Sequence, residues 1–259
     1  MSNLTFLSDN RVLEANLSMI TGTENTQFPL SNIMNDFTTK VFRSNEDNVE
    51  LLVDLQSTVA IDSFAIVGSS VNGLGLGDIS IYGSLSTDFT GATEIDIDIN
   101  ANHNFGFKLF TPDASYRYWK IVVNNTGGSY VEISNFYLGI KTEFANNGIS
   151  TESFKYTDID NSKTVKNKYG QRFIDQYNKI KSLSGTMKYV NATEFDELNN
   201  LYIQNRRSTP LWIIVDPEGC MANDSEWIFS GYVYFDADLK WSLVAPALYN
   251  VSLKFSEGT

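Results

Sequence analysis

The sequence predicts a mainly β protein of two folding units, an N-terminal β-sandwich and a C-terminal α+β unit with one main helix packed on a sheet. Three observations predict it. Short runs rich in alternating apolar residues fill the first half, with Gly, Asn, Ser and Asp in every gap. One helical period stands out, and it lies in the second half. The chain has 259 residues, 42% of them hydrophobic and 13% aromatic, which is enough apolar side chain to fill two cores.

In chain order, a short helical turn is expected at 29–34, where Pro29 suits an early helical position and Leu30, Ile33 and Met34 share a face. Strands are expected at 49–55, 61–67, 78–83, 94–99, 105–110, 118–123 and 131–138. The run 94–99 alternates strictly, so Asp96 and Asp98 share the face opposite Ile95, Ile97 and Ile99. Many short strands with almost no helix signal indicate a sandwich or barrel. Residues 143–168 are polar with little apolar period and read as a linker, which sets the domains at 1–142 and 169–259.

Beyond the linker, strands are expected at 172–177 and 182–190, the latter with a turn at Gly185. A helix follows, capped by Thr193 with Asp196 at its third position; Phe195, Leu198, Leu201 and Tyr202 form its apolar stripe. Arg206 and Arg207 suit its last turn, and Pro210 stops it. Strands at 211–215, 227–235 and 249–255 complete the unit. The first is apolar on both faces, as a covered strand is.

The net charge is −12. Residues 1–142 hold 16 acidic and 7 basic residues, and 143–259 hold 15 and 12. Nucleic-acid binding needs a basic face and is not expected. No apolar run approaches the roughly 20 residues that span a bilayer, so membrane insertion is not expected either. Cys220 is the only cysteine, which excludes an internal disulfide and a multi-cysteine metal site. The start of the sequence shows no secretory pattern, so synthesis in a cytoplasm is the expectation.

Several segments in order resemble the coagulation-factor 5/8 type C (discoidin) family and the wider galactose-binding-like fold. They are the turn at 29–34, then Phe42-Arg43-Ser44, Val53-Asp54-Leu55, Phe64-Ala65-Ile66-Val67 and Ile79-Ser80-Ile81-Tyr82-Gly83-Ser84. Tyr116-Arg117-Tyr118-Trp119-Lys120-Ile121 and Ile133-Ser134-Asn135-Phe136-Tyr137 follow. The resemblance spans about residues 20–140 and implies a jelly-roll sandwich. Gln56 replaces a usual Gly, and the family's cysteines are absent. In the second half, Arg207-Ser208-Thr209-Pro210-Leu211-Trp212-Ile213-Ile214-Val215-Asp216 resembles segments of tailed-bacteriophage tail proteins, as do Trp241-Ser242-Leu243 and the stretch 249–257. That resemblance implies a structural subunit of a tail tip or baseplate. Such a subunit is made in the host cytoplasm and carried in the virion, a trimer or hexamer among other phage tail proteins. The alternative is a stand-alone carbohydrate-binding adhesion protein.

No catalytic constellation is evident, and neither an enzyme nor a cofactor is expected. His103, the only histidine, sits in a turn-like Asn-rich segment and reads as an exposed loop residue; Cys220 sits among turn residues without a base. No spacing picks a carboxylate pair for glycoside hydrolysis. Gly73-Leu74-Gly75-Leu76-Gly77 lacks the helix that phosphate binding needs. The galactose-binding-like resemblance implies ligand contact by loops at one end of the sandwich, which makes Ser70 and Asn72 candidates for host surface glycans. Arg43 and Arg117 are planar groups suited to sugar or partner contact, beside Phe42, Tyr116 and Trp119; the plainer expectation has Trp119 in the core and Arg117 in an ion pair. Asp96 and Asp98 are Ca²⁺ candidates against the simpler reading of a solvated face. Arg206, Arg207, Lys166 and Lys168 make the second half locally basic and suit an assembly interface with the acidic half of a neighbouring copy.

Overall fold

The computed structural model describes residues 3–35, 39–68, 79–96, 98–100, 105–111, 114–125, 129–144, 148–160, 162–175, 179–215 and 230–257. The strands of its first half are β1 (Leu4–Asn10), β2 (Asn16–Thr21), β3 (Phe42–Arg43), β4 (Asn48–Val59), β5 (Ser63–Gly68), β6 (Ile79–Ser84), β7 (Thr93–Asp96), β8 (Asp98–Asn100), β9 (Phe105–Leu109), β10 (Tyr116–Asn124) and β11 (Glu132–Phe144). The second half adds β12 (Lys155–Asp160), β13 (Lys163–Lys166), β14 (Arg172–Asp175), β15 (Lys179–Asn191), helix α1 (Ala192–Asn205), β16 (Leu211–Ile214), β17 (Ser230–Phe235), β18 (Lys240–Ala245) and β19 (Leu248–Glu257). The protein is mainly β, as the sequence predicts.

Two compact units form. One comprises Thr5–Glu143 with Trp212–Gly231, the other Met1–Leu4, Phe144–Leu211 and Tyr232–Thr259. The first is a sandwich. One sheet runs β2-β4-β10-β6-β7, antiparallel throughout. The facing sheet contains β1-β11-β5-β9-β8, with β3 on β11. Alternation along β4 and β10 builds the core: Val49, Leu51, Val53, Trp119, Ile121 and Val123 are buried, and they meet Phe64, Ile66, Ile133, Phe136 and Leu138 from the other sheet. Phe64 stacks on Phe136 with centroids 6.3 Å apart. The turn expected at 29–34 is a 3-10 turn, Leu30–Ile33, with both end residues buried.

The second unit is an antiparallel sheet, β12-β15-β19-β17, with β18 also on β19 and α1 packed against β15 and β19. Leu198 and Leu201 of the expected stripe are buried. Phe195 stacks on Tyr249 at 4.5 Å, and Tyr202 meets Phe235 edge-on at 5.2 Å.

Five expectations need correction. The stretch 143–168 contains β12 and β13. β12 is largely exposed and so has no apolar period; backbone pairing with β15, from Lys155↔Ser184 to Asp160↔Lys179, holds it. Residues 212–214 join the sandwich unit, where Thr5↔Ile214, Phe6↔Ile213 and Leu7↔Trp212 pair. The run 94–99 is two strands: β7 pairs β6 in one sheet and β8 pairs β9 in the other. Gly185 lies within β15 rather than in a turn; a Cβ there would sit 2.1 Å from Ile149 Cγ2, so close approach is what demands glycine. The helix cap is Asn191, not Thr193, because Glu194 falls where both halves of a capping box close. Arg206 is accordingly its C-cap, outside the last turn, at φ 46°.

Candidate functional site

Strand register brings several connections to one end of the sandwich. Asn48 pairs Asn124, Ile79 pairs Val123, Glu50 pairs Thr21, Arg43 pairs Glu132, and Gly68 pairs Ile133. Phe105 pairs both Val67 and Asn100 at the same end. Backbone bonds tie the two sheets together here: Ser44 N–H donates to the Val131 carbonyl at 3.0 Å, Val131 N–H to that of Glu46 at 3.1 Å, and Asn125 N–H to that of Asp47 at 2.7 Å.

Side chains brace the same loops. Thr23 donates its N–H and hydroxyl to the Glu46 carboxylate at 2.6 and 2.9 Å. The Asn45 amide donates to the Glu24 carbonyl at 3.1 Å, and Leu30 N–H donates to the Glu24 carboxylate at 2.8 Å. The Asn125 amide donates to the Tyr130 carbonyl at 2.7 Å, and Val131 N–H to the Ser44 hydroxyl at 2.7 Å. Gly22, at φ +95°, makes the turn out of β2 that brings Thr23 over Glu46. Bonds of this density hold these described loop residues in one arrangement.

Arg43 stands at the centre. Its Nε–H donates to Glu132 Oε2 at 2.7 Å, and an Nη2–H reaches the same oxygen. The guanidinium carbon lies 4.5 Å from the ring centroids of both Phe28 and Tyr130, an Arg–aromatic sandwich. The Glu132 side chain is 2% exposed and that of Arg43 27%. A guanidinium has five N–H donors; among the described residues, acceptors are assigned to two. The outcome is a planar cation, locked in orientation, with donors and two half-exposed rings at the surface.

Arg117 does not join it. It lies at the opposite end, where Tyr116 pairs Val59. Its Nε and Nη2 donate to Asp54 Oδ1 and Oδ2 at 2.7 and 2.9 Å, over the Tyr118 ring at 4.9 Å. The Arg117–Asp54 pair is the ion pair of the plainer expectation, and β10 places it away from the Arg43 end, where it acts as a brace. Phe42 and Trp119 are core, and Tyr116 packs edge-on against Trp119 at 5.7 Å. Ser70, Asn72, His103, Cys220 and the glycines at 73, 75 and 77 lie outside the described residues. Asp96 pairs Ser80 in one sheet and Asp98 pairs Phe107 in the other, which removes the single strand on which a shared face was expected. Among the described residues no group of three or more His, Cys, Asp or Glu could hold a metal ion. Of the basic candidates, Arg207 pairs Asp238 at 3.0 Å beside α1, while Lys166 and Lys168 belong to the β13–β14 hairpin, a different element.

The Arg117 guanidinium, through its hydrogen bonds, and the Gln56 N–H hold the Asp54 carboxyl below the usual carboxylate range against a smaller opposing effect of burial. A lowered folded pKa stabilises the fold above the unfolded value and loses that contribution as pH falls through the folded value. The gap in Tm between the wild type and Asp54→Asn is therefore constant above about pH 5 and shrinks on acidification below about pH 4. Thermal melts across pH check this, and a gap that widens in acid contradicts it.

Phe28, Tyr130 and Glu132 were not among the sequence candidates. The signal that could have found them is the charged Glu132 between the apolar Val131 and Ile133 at the start of a strand, which needs a cationic partner when it is buried.

No protein-family model and no curated protein matches the chain. Solved structures similar over half of it do exist. The lectin domain of lectinolysin complexed with Lewis B antigen shares 14% identity over 51% of this chain and 96% of that one, with a TM-score of 0.41. CpGH89CBM32-5 from Clostridium perfringens, in complex with GalNAc-β-1,3-galactose, shares 9% identity over 51% and 100%, with a TM-score of 0.42. The family 32 carbohydrate-binding module of C. perfringens NanJ, in complex with galactose, shares 16% over 54% and 99%, with a TM-score of 0.41.

Proposed function

We propose that the sandwich unit binds glycans at the end that carries Arg43, and that the protein binds and presents rather than catalyses. A sugar offers hydroxyls that accept and donate in known directions, and an apolar C–H face that packs on rings. The observation that carries the reading is the orientation-locked Arg43 guanidinium between the Phe28 and Tyr130 rings, held by buried Glu132. Asn25, Asn45 and Asn125 on the adjoining loops add planar polar groups. The discoidin-like order of sequence segments supports the same reading.

Calorimetric titration with a bound glycan tests it. Tyr130→Ala removes a ring face and lowers affinity about tenfold or more. Arg117→Ala, at the far end, leaves affinity within about twofold. Equal losses in both variants overturn the assignment of the site.

A wider reading, in which the module is presented by a subunit of a phage tail tip or baseplate within the virion, is supported by the tail-protein resemblance of residues 207–216, 241–243 and 249–257. It is also favoured by β18, which leaves Trp241, Leu243 and Val244 57%, 60% and 46% exposed, apolar surface that an assembly would cover.

A further inference from the structure

The β13–β14 hairpin forms a two-stranded sheet of its own and pairs with no other described strand. All four residues of β13 are exposed, Val165 by 60%, and Tyr169 at the tip by 77%. The tip is nonetheless well made. Asn167 Oδ1 accepts from the N–H groups of Tyr169 and Gln171 at 2.9 and 3.0 Å, Asn167 N–H donates to the Gln171 carbonyl at 3.0 Å, and Gly170 takes φ +80°. Lys168 Nζ lies 4.9 Å from the Tyr169 ring centroid, so the turn presents a cation and a ring together.

A lone two-stranded hairpin gains little from its own contacts, and this one leaves Val165 and Tyr169 in water. Its charge selects the partner. Lys163, Lys166, Lys168 and Arg172 against Asp175 give +3, in a chain whose net charge is −12, so the rest carries −15. That remainder repels polyanions such as nucleic acid or an anionic bilayer, yet it attracts the hairpin of another copy. Residues 1–142, which include most of the sandwich unit, hold −9 of it.

We infer that residues 162–175 form an arm by which one copy of this chain grips the acidic sandwich unit of a second copy. The arm and its receiving surface are different patches, so the contact closes either as a reciprocal two-fold exchange or as a head-to-tail ring. The inference stands on the hairpin alone and is independent of glycan binding.

Sedimentation velocity of the full chain tests it, with K166E/K168E/Y169S as the variant; these positions are exposed and leave Asn167 and Gly170 intact. The wild type is expected to associate at about 50 mM salt and to dissociate progressively toward about 500 mM. The variant is expected to associate at least about tenfold more weakly, with an unchanged thermal melt. Carbodiimide coupling in a mixture of ¹⁴N- and ¹⁵N-labelled protein is expected to join Lys166 or Lys168 of one copy to acidic residues in 5–143 of another. A wild type that stays monomeric at about 100 μM overturns the inference. So does a variant that associates like the wild type, coupling confined within single copies, or a monomeric wild type that binds duplex DNA or anionic vesicles through these residues.

Discussion

Trp119→Ala is expected to destabilise the sandwich unit by about 3–5 kcal/mol. Trp119 is 1% exposed in the middle of β10, between Tyr116 at 5.7 Å and Phe110 at 6.2 Å. Its neighbours lie on strands whose backbones pair on both sides, at Val53 and Gly83, so the core cannot close over the space. Against a typical domain stability of about 5–15 kcal/mol, a loss of that size leaves the unit marginal. Trp119→Phe separates the causes. The indole N–H is buried and has no acceptor among the described residues. Phenylalanine removes that donor while keeping much of the volume, so it is expected to cost well under half as much. Urea unfolding followed by circular dichroism measures both, and equal costs would contradict the packing account.

Arg43→Met is expected to cost about 2–4 kcal/mol of stability as well as glycan binding. The loss arises less from the missing cation than from what it leaves behind, a Glu132 carboxylate 2% exposed to water. The double variant Arg43→Met/Glu132→Met is then expected to recover much of the stability while remaining unable to bind. Recovery of stability without recovery of binding distinguishes a structural role of the pair from a ligand-contacting role of Arg43. A double variant less stable than Arg43→Met would contradict the argument from the stranded charge.

Local period was the part of the fold legible from residues. Val49, Leu51 and Val53 alternate, as do Trp119, Ile121 and Val123, because one face of each strand meets a core and the other does not. Elements without that asymmetry left no signal: β12 is exposed along most of its length and read as linker. Alternation also says nothing about which strand is the neighbour. The run 94–99 kept perfect period 2 while its backbone passed from one sheet to the other, and β16 found its partner β1 some two hundred residues upstream. At the helix start Asn191 and Thr193 are both competent caps, and only the reciprocal bonds with Glu194 decide between them.

The site was legible to the same degree. Arg43 was marked out by type and by its place in Phe42-Arg43-Ser44, but its meaning depends on Glu132, 89 residues away, and on Phe28 and Tyr130 from two further loops. Arg117 carried the same sequence signals, and the register of β10 sends it to the other end of the sandwich. Residue type proposes planar groups; only strand order decides which of them converge.

The Arg43 end of the sandwich is proposed to recognise glycans. Probing an immobilised glycan array with the intact chain, Tyr130→Ala and Arg117→Ala in parallel tests it most directly. The expected outcome is a discrete set of glycans bound by the intact chain, retained by Arg117→Ala and lost by Tyr130→Ala. Silence of the intact chain across the array, or a set unchanged by Tyr130→Ala, would contradict it.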